Sequence, residues 1–202
     1  MTSASPGFGR NAGFSIRAPN GFWNVWPKLV DYPPRDRMPC LVIYGVTGMG
    51  KTRVVQKFLR DKRAVFDKKL GRTRVPVVSI QMPPAPVERD FYEEILVAMG
   101  GVFAYGTSVT TLRHRIRALA RQLEVRMLII DEIHSLLAGT FREQRIILNA
   151  VRFLANDLQI PLVCLGTEEA NRALMTTSNW RIVSPLPSCR PGRTMPRLSS
   201  SY

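Results

Sequence analysis

Eight residues, GVTGMGKT at positions 45–52, restrict most tightly what this chain can fold into. They fit G-x-x-x-x-G-K-[ST], a phosphate-binding loop, and lie between an apolar run at 40–44 and a helix-like segment starting at Arg53. Gly45, Gly48 and Gly50 let the backbone curl, so that successive N–H groups, those of Val46, Thr47 and Met49 among them, turn inward as an anion cradle. The helix that follows adds the partial positive charge of its N-terminus, and Arg53 in its first turn is counted with the binding residues. Lys51 reaches the β- and γ-phosphates, and the Thr52 hydroxyl is a ligand for Mg²⁺. The stretch predicts a bound nucleoside triphosphate.

A second feature answers the first. RMLIIDE at 126–132 puts four apolar residues, 127–130, ahead of two carboxylates. Such a run reads as a strand buried on both faces that delivers Asp131 and Glu132 at its C-terminal end. In a parallel sheet with a phosphate loop, that end is where the nucleotide sits. Asp131 is expected to hold Mg²⁺ through its water shell, and Glu132 to polarise the attacking water as general base. A further buried strand, PLVCLG at 161–166, places Thr167 at its tip. There the hydroxyl is a candidate for the γ-phosphate or the attacking water, or caps the helix 168–174, or both.

Strand and helix alternate throughout the remainder, which indicates an α/β P-loop fold with a mainly parallel sheet flanked by helices. Residues 1–38 read as a loose leader in which Trp23 and Trp26 dock on the body or on a partner, the former being favoured. Helix 53–60 turns Val54, Val55, Phe58 and Leu59 inward, a basic unperiodic connector covers 61–74, and 75–82 is the second strand. Phe91, Ile95 and Met99 mark a helix over 87–99, and Thr110 or Thr111 caps the next. That helix has an apolar stripe, Leu112, Ile116, Leu119 and Leu123, and a basic one, Arg113, Arg117 and Arg121. Residues 139–158 form a long helix with Arg142 and Arg145 on its polar side. The expected division is a leader at 1–38, a nucleotide-binding domain at 39–177, and a disordered basic tail at 178–202.

Composition bounds the rest. With 202 residues and 45% hydrophobic content, the chain can bury one sizeable core. No apolar run approaches the roughly 20 residues that cross a bilayer, so no membrane partner is expected. Three cysteines have neither metal-site nor disulfide spacing; Cys40 and Cys164 sit in strand-like runs as buried thiols, and a reducing cytoplasm is the default. The net charge of +14 is uneven, dense at 53–74 and 113–126, and favours a nucleic-acid partner over a merely solvated surface. The stripe Arg113, Arg117 and Arg121 is the first candidate for phosphate contact, with Arg142 and Arg145 after it.

Four blocks, MPCLVIYGVTGMGKT, VVSIQMPPAP, LIIDEIHSLLAG and NDLQIPLVCLGTEEA, occur in an order and spacing that resemble the TniB-type transposition ATPases. These are relatives of TnsC within the AAA+ superfamily, and the similarity runs over residues 33–177. The resemblance implies an AAA+ core with Walker A at 45–52, Walker B at 128–132 and Thr167 at the sensor-1 position. It also implies ATP rather than another triphosphate, a homo-oligomer on target DNA, a DDE-type transposase as partner, and hydrolysis used as a switch. The alternatives are a non-hydrolysing ATP-gated adaptor and a helicase-loader or replication-type ATPase of similar core. DEIH at 131–134 also looks like a DEAH-helicase motif, but too little chain follows His134 for a second RecA-like domain. The chain departs from the family after residue 177, where a complete helical lid is not recognisable. The tail is expected to be out of frame, since plausible codons for SNWRIVS at 178–184, read in a neighbouring frame, give QLADRF, which resembles the family's arginine-finger region.

Overall fold

The computed structural model describes residues 26, 28–45, 48, 50–69, 71–175 and 181–183. Its centre is a five-stranded sheet in the order β4-β5-β6-β1-β7, in which every pair is parallel. The strands are β1 (Cys40–Tyr44), β4 (Val77–Gln81), β5 (Met127–Asp131), β6 (Leu162–Gly166) and β7 (Arg181–Val183). The helices are α1 (Lys51–Asp61), α2 (Glu88–Ala98), α3 (Val109–Gln122), α4 (Phe141–Leu158) and α5 (Glu168–Met175), with a 3₁₀ turn at Ile133–Ala138. A separate antiparallel pair, β2 (Val65–Asp67) and β3 (Arg72–Arg74), stands apart from this sheet.

Side chains alternate across a strand, so a sheet covered on both faces needs apolar residues at consecutive positions. Cys40 and Val42 of β1 join the core on one side, with Ile80, Leu128, Ile130, Leu162 and Cys164. Phe91, Ile95, Leu112, Ile116, Ile147, Val151 and Leu154 from α2, α3 and α4 complete that side. Leu41 and Ile43 point the other way and pack with Val77, Met127, Ile129, Val163, Leu165 and the α1 residues Val54, Val55 and Phe58. Burial pushes the Cys40 thiol up to about 11 and the Cys164 thiol well above its ordinary value, so both are protonated, unreactive core groups at neutral pH.

Helix α1 does not cover its face of the sheet alone. Trp26, Leu29, Val30 and Met38 are buried, and the Trp26 ring meets Phe58 edge-on with centroids 4.8 Å apart. Trp26 of the leader therefore docks on the body. Trp23 lies outside the described residues. The connector 61–74 is not featureless. Asp67 Oδ1 accepts the Lys69 N–H at 2.9 Å and Gly71 takes φ 60°, which closes a turn between β2 and β3. Ser108, not Thr110 or Thr111, caps α3, its Oγ accepting the Thr111 N–H at 3.1 Å.

One short piece of the stretch expected as a tail is described. Arg181–Val183 pairs in parallel with β1 as β7, at the side of that strand away from β6. The rest of 178–202 lies outside the described residues.

Replacing Trp26 by Ala should cost about 3–5 kcal/mol in denaturant unfolding, the usual range for a large buried aromatic. A stability equal to that of the parent chain would show that the leader is no part of the core.

Candidate functional site

Parallel register brings the functional segments to one edge. Tyr44 is level with Gly166, and Gln81 with Asp131, so β1, β4, β5 and β6 end together. Residues 45, 132 and 167 then leave the sheet on the same side, outside its carboxyl ends, where open α/β sheets bind their ligands.

The loop after β1 starts with the Gly45 N–H donating to the Gly166 carbonyl at 3.2 Å, which ties it to the neighbouring strand tip. Gly48 and Gly50 both take φ 83°, the left-handed region that a side chain disfavours. Gly50 is the N-cap of α1, which has no side-chain cap and no acid in its first turn. The positive end of this helix dipole thus faces the loop without a carboxylate of its own. Lys51 is buried, and its ammonium donates to the Gly45 carbonyl at 3.0 Å, folding the chain over the loop. Val46, Thr47 and Met49 lie outside the described residues, and Arg53 is exposed.

β6 separates β1 from β5, yet Thr52 spans that gap: its Oγ donates to Asp131 Oδ2 at 2.8 Å. The other carboxylate oxygen, Oδ1, accepts the Glu132 N–H at 2.8 Å. Asp131 is itself buried at the end of β5 and held on both oxygens. A hydroxyl that gives its proton to a carboxylate keeps its lone pairs for another partner. This oxygen-only pair suits a hard divalent cation such as Mg²⁺, with Asp131 orienting Thr52 from behind.

Glu132 stands at φ 56°, ψ 36°. Left-handed backbone costs an L-residue roughly 1–2 kcal/mol, and the kink ends β5 abruptly and starts the 3₁₀ turn. His134 Nδ1 is 3.1 Å from Glu132 Oε2 but is not aligned with it as a hydrogen bond. Thr167, at the tip of β6, accepts the Ala170 N–H on its Oγ at 3.4 Å, so the capping reading of this residue is realised.

Two contributors lay inside the quoted motifs without being given a part in the site. His134 borders the Glu132 carboxylate, and its place two residues downstream was the available signal. Gly166 is needed because a Cβ there would stand 2.6 Å from Ile133 Cγ2 and 3.3 Å from Ala170 Cβ. Its bare backbone lets the 3₁₀ turn cross the end of β6.

The arginine stripe of α3 is used differently from expectation. The Arg113 guanidinium lies over the rings of Tyr92 and Phe153, 6.0 and 5.5 Å from their centroids. Arg117 Nε donates to Asp157 at 2.5 Å and lies over Phe153. Both arginines clamp α3 to its neighbours, and Arg121 alone of the three is exposed. Arg142 and Arg145 are exposed on α4, Arg145 over Phe141.

Residues 24–181 match the family of the bacterial TniB protein. No curated protein matches in sequence. Among solved structures, the chain resembles the Aeropyrum pernix ORC1 protein determined in complex with DNA, at 20% identity and a TM-score of 0.57, covering 82% of this chain and 43% of that one. It also resembles the Aeropyrum pernix ORC2 protein in its ADPNP–ADP complexes, at 14% identity and a TM-score of 0.59, covering 86% of this chain and 49% of that one. This chain therefore spans less than half the length of either. What is shared with both is the fold, a parallel α/β sheet flanked by helices. Among the described residues, no helix is long and apolar enough to cross a membrane.

Gly166→Ala should lose about 1–3 kcal/mol of stability, as overpacked cores do, through the push on Ile133. Unchanged thermal unfolding would mean that the turn carrying Glu132 has slack.

Proposed function

From a chain that belongs to the bacterial TniB family, we propose an ATP-binding and ATP-hydrolysing regulator of DNA transposition. It binds target DNA, assembles there with further copies of itself, and cooperates with a DDE-type transposase. The observation that carries the nucleotide part is the Thr52–Asp131 hydrogen bond, 2.8 Å across the tip of β6. It joins a residue of the loop motif to one of the strand motif, and Lys51, which precedes Thr52 in the chain, is buried. Family membership supports the transposition part.

The amides of residues 45–50 and the N-terminus of α1 receive the phosphates, and the Lys51 ammonium exchanges the Gly45 carbonyl for the β- and γ-oxygens. Thr52 would be a direct ligand of Mg²⁺, and Asp131, which fixes the Thr52 hydroxyl, would hold the ion through its water shell. The chemistry that Mg²⁺ would supply there is neutralisation of phosphate charge. Glu132 takes a proton from the attacking water, and Thr167 orients that water or the γ-phosphate while keeping its hold on α5. Arg53, exposed in the first turn of α1, adds positive charge at the mouth of the loop. Hydrolysis releases the assembly from DNA and so acts as a switch.

Lys51→Ala should abolish binding of a fluorescent ATP analogue; an unchanged affinity contradicts the site. Glu132→Gln should keep binding and lower phosphate release about 10²–10⁴-fold, the usual worth of a general base. Full turnover in that variant rejects Glu132 in this role. In the parent chain, release should rise on adding duplex DNA. Tight ATP binding without release, with or without DNA, would replace the hydrolase by an ATP-gated adaptor.

A further inference from the structure

The pair β2–β3 has no evident reason to exist as part of the nucleotide core. Isolated two-stranded hairpins are marginal in water, and this one pairs only through Val65–Arg74, Phe66–Thr73 and Asp67–Arg72. Residues directly opposite in an antiparallel pair share a face. Val65, Asp67, Arg72 and Arg74 thus lie on one face, and Phe66 and Thr73 on the other. The first face is tied to the body: Arg72 and Arg74 both grip the Glu124 carboxylate, Arg74 Nε at 2.6 Å. Those two arginines hold the Glu124 carboxyl below its ordinary range, which keeps this anchor charged.

The second face is left open. Phe66 is 60% exposed, and Thr73 is exposed beside it. Cations stand at both ends of the ribbon, Lys62 and Arg63 at its root and Lys68 and Lys69 at its tip. The two local acids are already engaged. Asp61 lies 4.0 Å from Lys57, and Asp67 accepts the Lys69 backbone N–H. No ion pair engages the side chains of Lys62, Arg63, Lys68 or Lys69 among the described residues. Exposed apolar area flanked by unneutralised cations on a protruding ribbon fits a polyanion that has an apolar floor.

We infer that the β2–β3 ribbon is the element with which this chain grips duplex DNA. This inference rests on DNA as the partner under the proposed function. The five residues from Arg63 to Asp67, of which Val65–Asp67 are strand, span at most about 13 Å when extended. The major groove of B-DNA is about 12 Å wide and admits a two-stranded ribbon. Root and tip cations then meet phosphates on opposite walls, and Phe66 faces the base edges, where thymine methyls offer an apolar contact. Arg113 and Arg117 of α3 are engaged within the fold, which leaves Arg121 as the one exposed member of that stripe.

The test is fluorescence anisotropy of the full chain with a labelled duplex and ATP·Mg²⁺, over a series of salt concentrations. Lys68→Ala with Lys69→Ala should weaken binding tenfold or more and reduce the log–log salt slope by up to about 2, one unit for each phosphate no longer neutralised. Phe66→Ala should weaken binding with the slope unchanged. Arg142→Ala with Arg145→Ala, the same charge change on α4, should do neither. Thermal midpoint and ATP affinity should match the parent chain in every variant, because these side chains are exposed and remote from the phosphate loop. If the parent chain binds DNA and the ribbon variants match it in affinity and slope, the assignment is wrong and the proposed function stands. Equal weakening from the α4 pair would make the effect one of bulk charge and overturn it too. If the parent chain binds no duplex, the DNA partner fails and this inference falls with it, while ATP binding remains intact.

Discussion

The geometry of this protein hangs on one hydrogen bond between residues far apart in sequence, Thr52 Oγ to Asp131 Oδ2 at 2.8 Å. It can form only because three conditions hold together. Parallel register ends β1, β5 and β6 within one residue of the same level. The middle strand ends in a glycine, which leaves room for Ile133 and the turn that follows Asp131. The first helix begins one residue before Thr52, presenting the hydroxyl toward β5. Each condition is a matter of backbone placement, and the loop chemistry follows from it.

Burial on both faces of the sheet is what fixes that placement. A parallel sheet with consecutive apolar positions cannot slip by one residue without exchanging its two cores. Val42 and Cys164 belong to one cluster, while Ile43 and Leu165 belong to the other. The second cluster is the smaller, and it is completed by Trp26 and its neighbours. A segment that looks like a leader thus helps set the position of α1, and through it the orientation of Thr52.

Much of this was legible in the sequence because the decisive signals are local. The loop, the strand before Asp131 and the strand before Thr167 each announce themselves within a few residues, and alternation then orders them into a parallel α/β sheet. What stayed hidden depends on partners distant along the chain. Helical spacing placed Arg113 and Arg117 in a stripe but could not reveal Phe153 and Asp157 on another helix. The turn at Asp67 and Gly71 was obscured by surrounding charge, and Arg181–Val183 is too short to register as a strand without β1 beside it. The left-handed backbone of Glu132 also leaves no mark in composition, since any residue type can be forced there by its surroundings.

The central claim is that Lys51, Thr52 and Asp131 form one site for a triphosphate and its metal. Calorimetric titration of ATP in the presence of Mg²⁺ and in EDTA, with the parent chain and with Asp131→Ala, tests it most directly. The account predicts that Mg²⁺ tightens binding to the parent chain at least tenfold, and that Asp131→Ala loses this gain while keeping the metal-free affinity. Equal affinities with and without Mg²⁺ in the parent chain, or an undiminished gain in the variant, would contradict it.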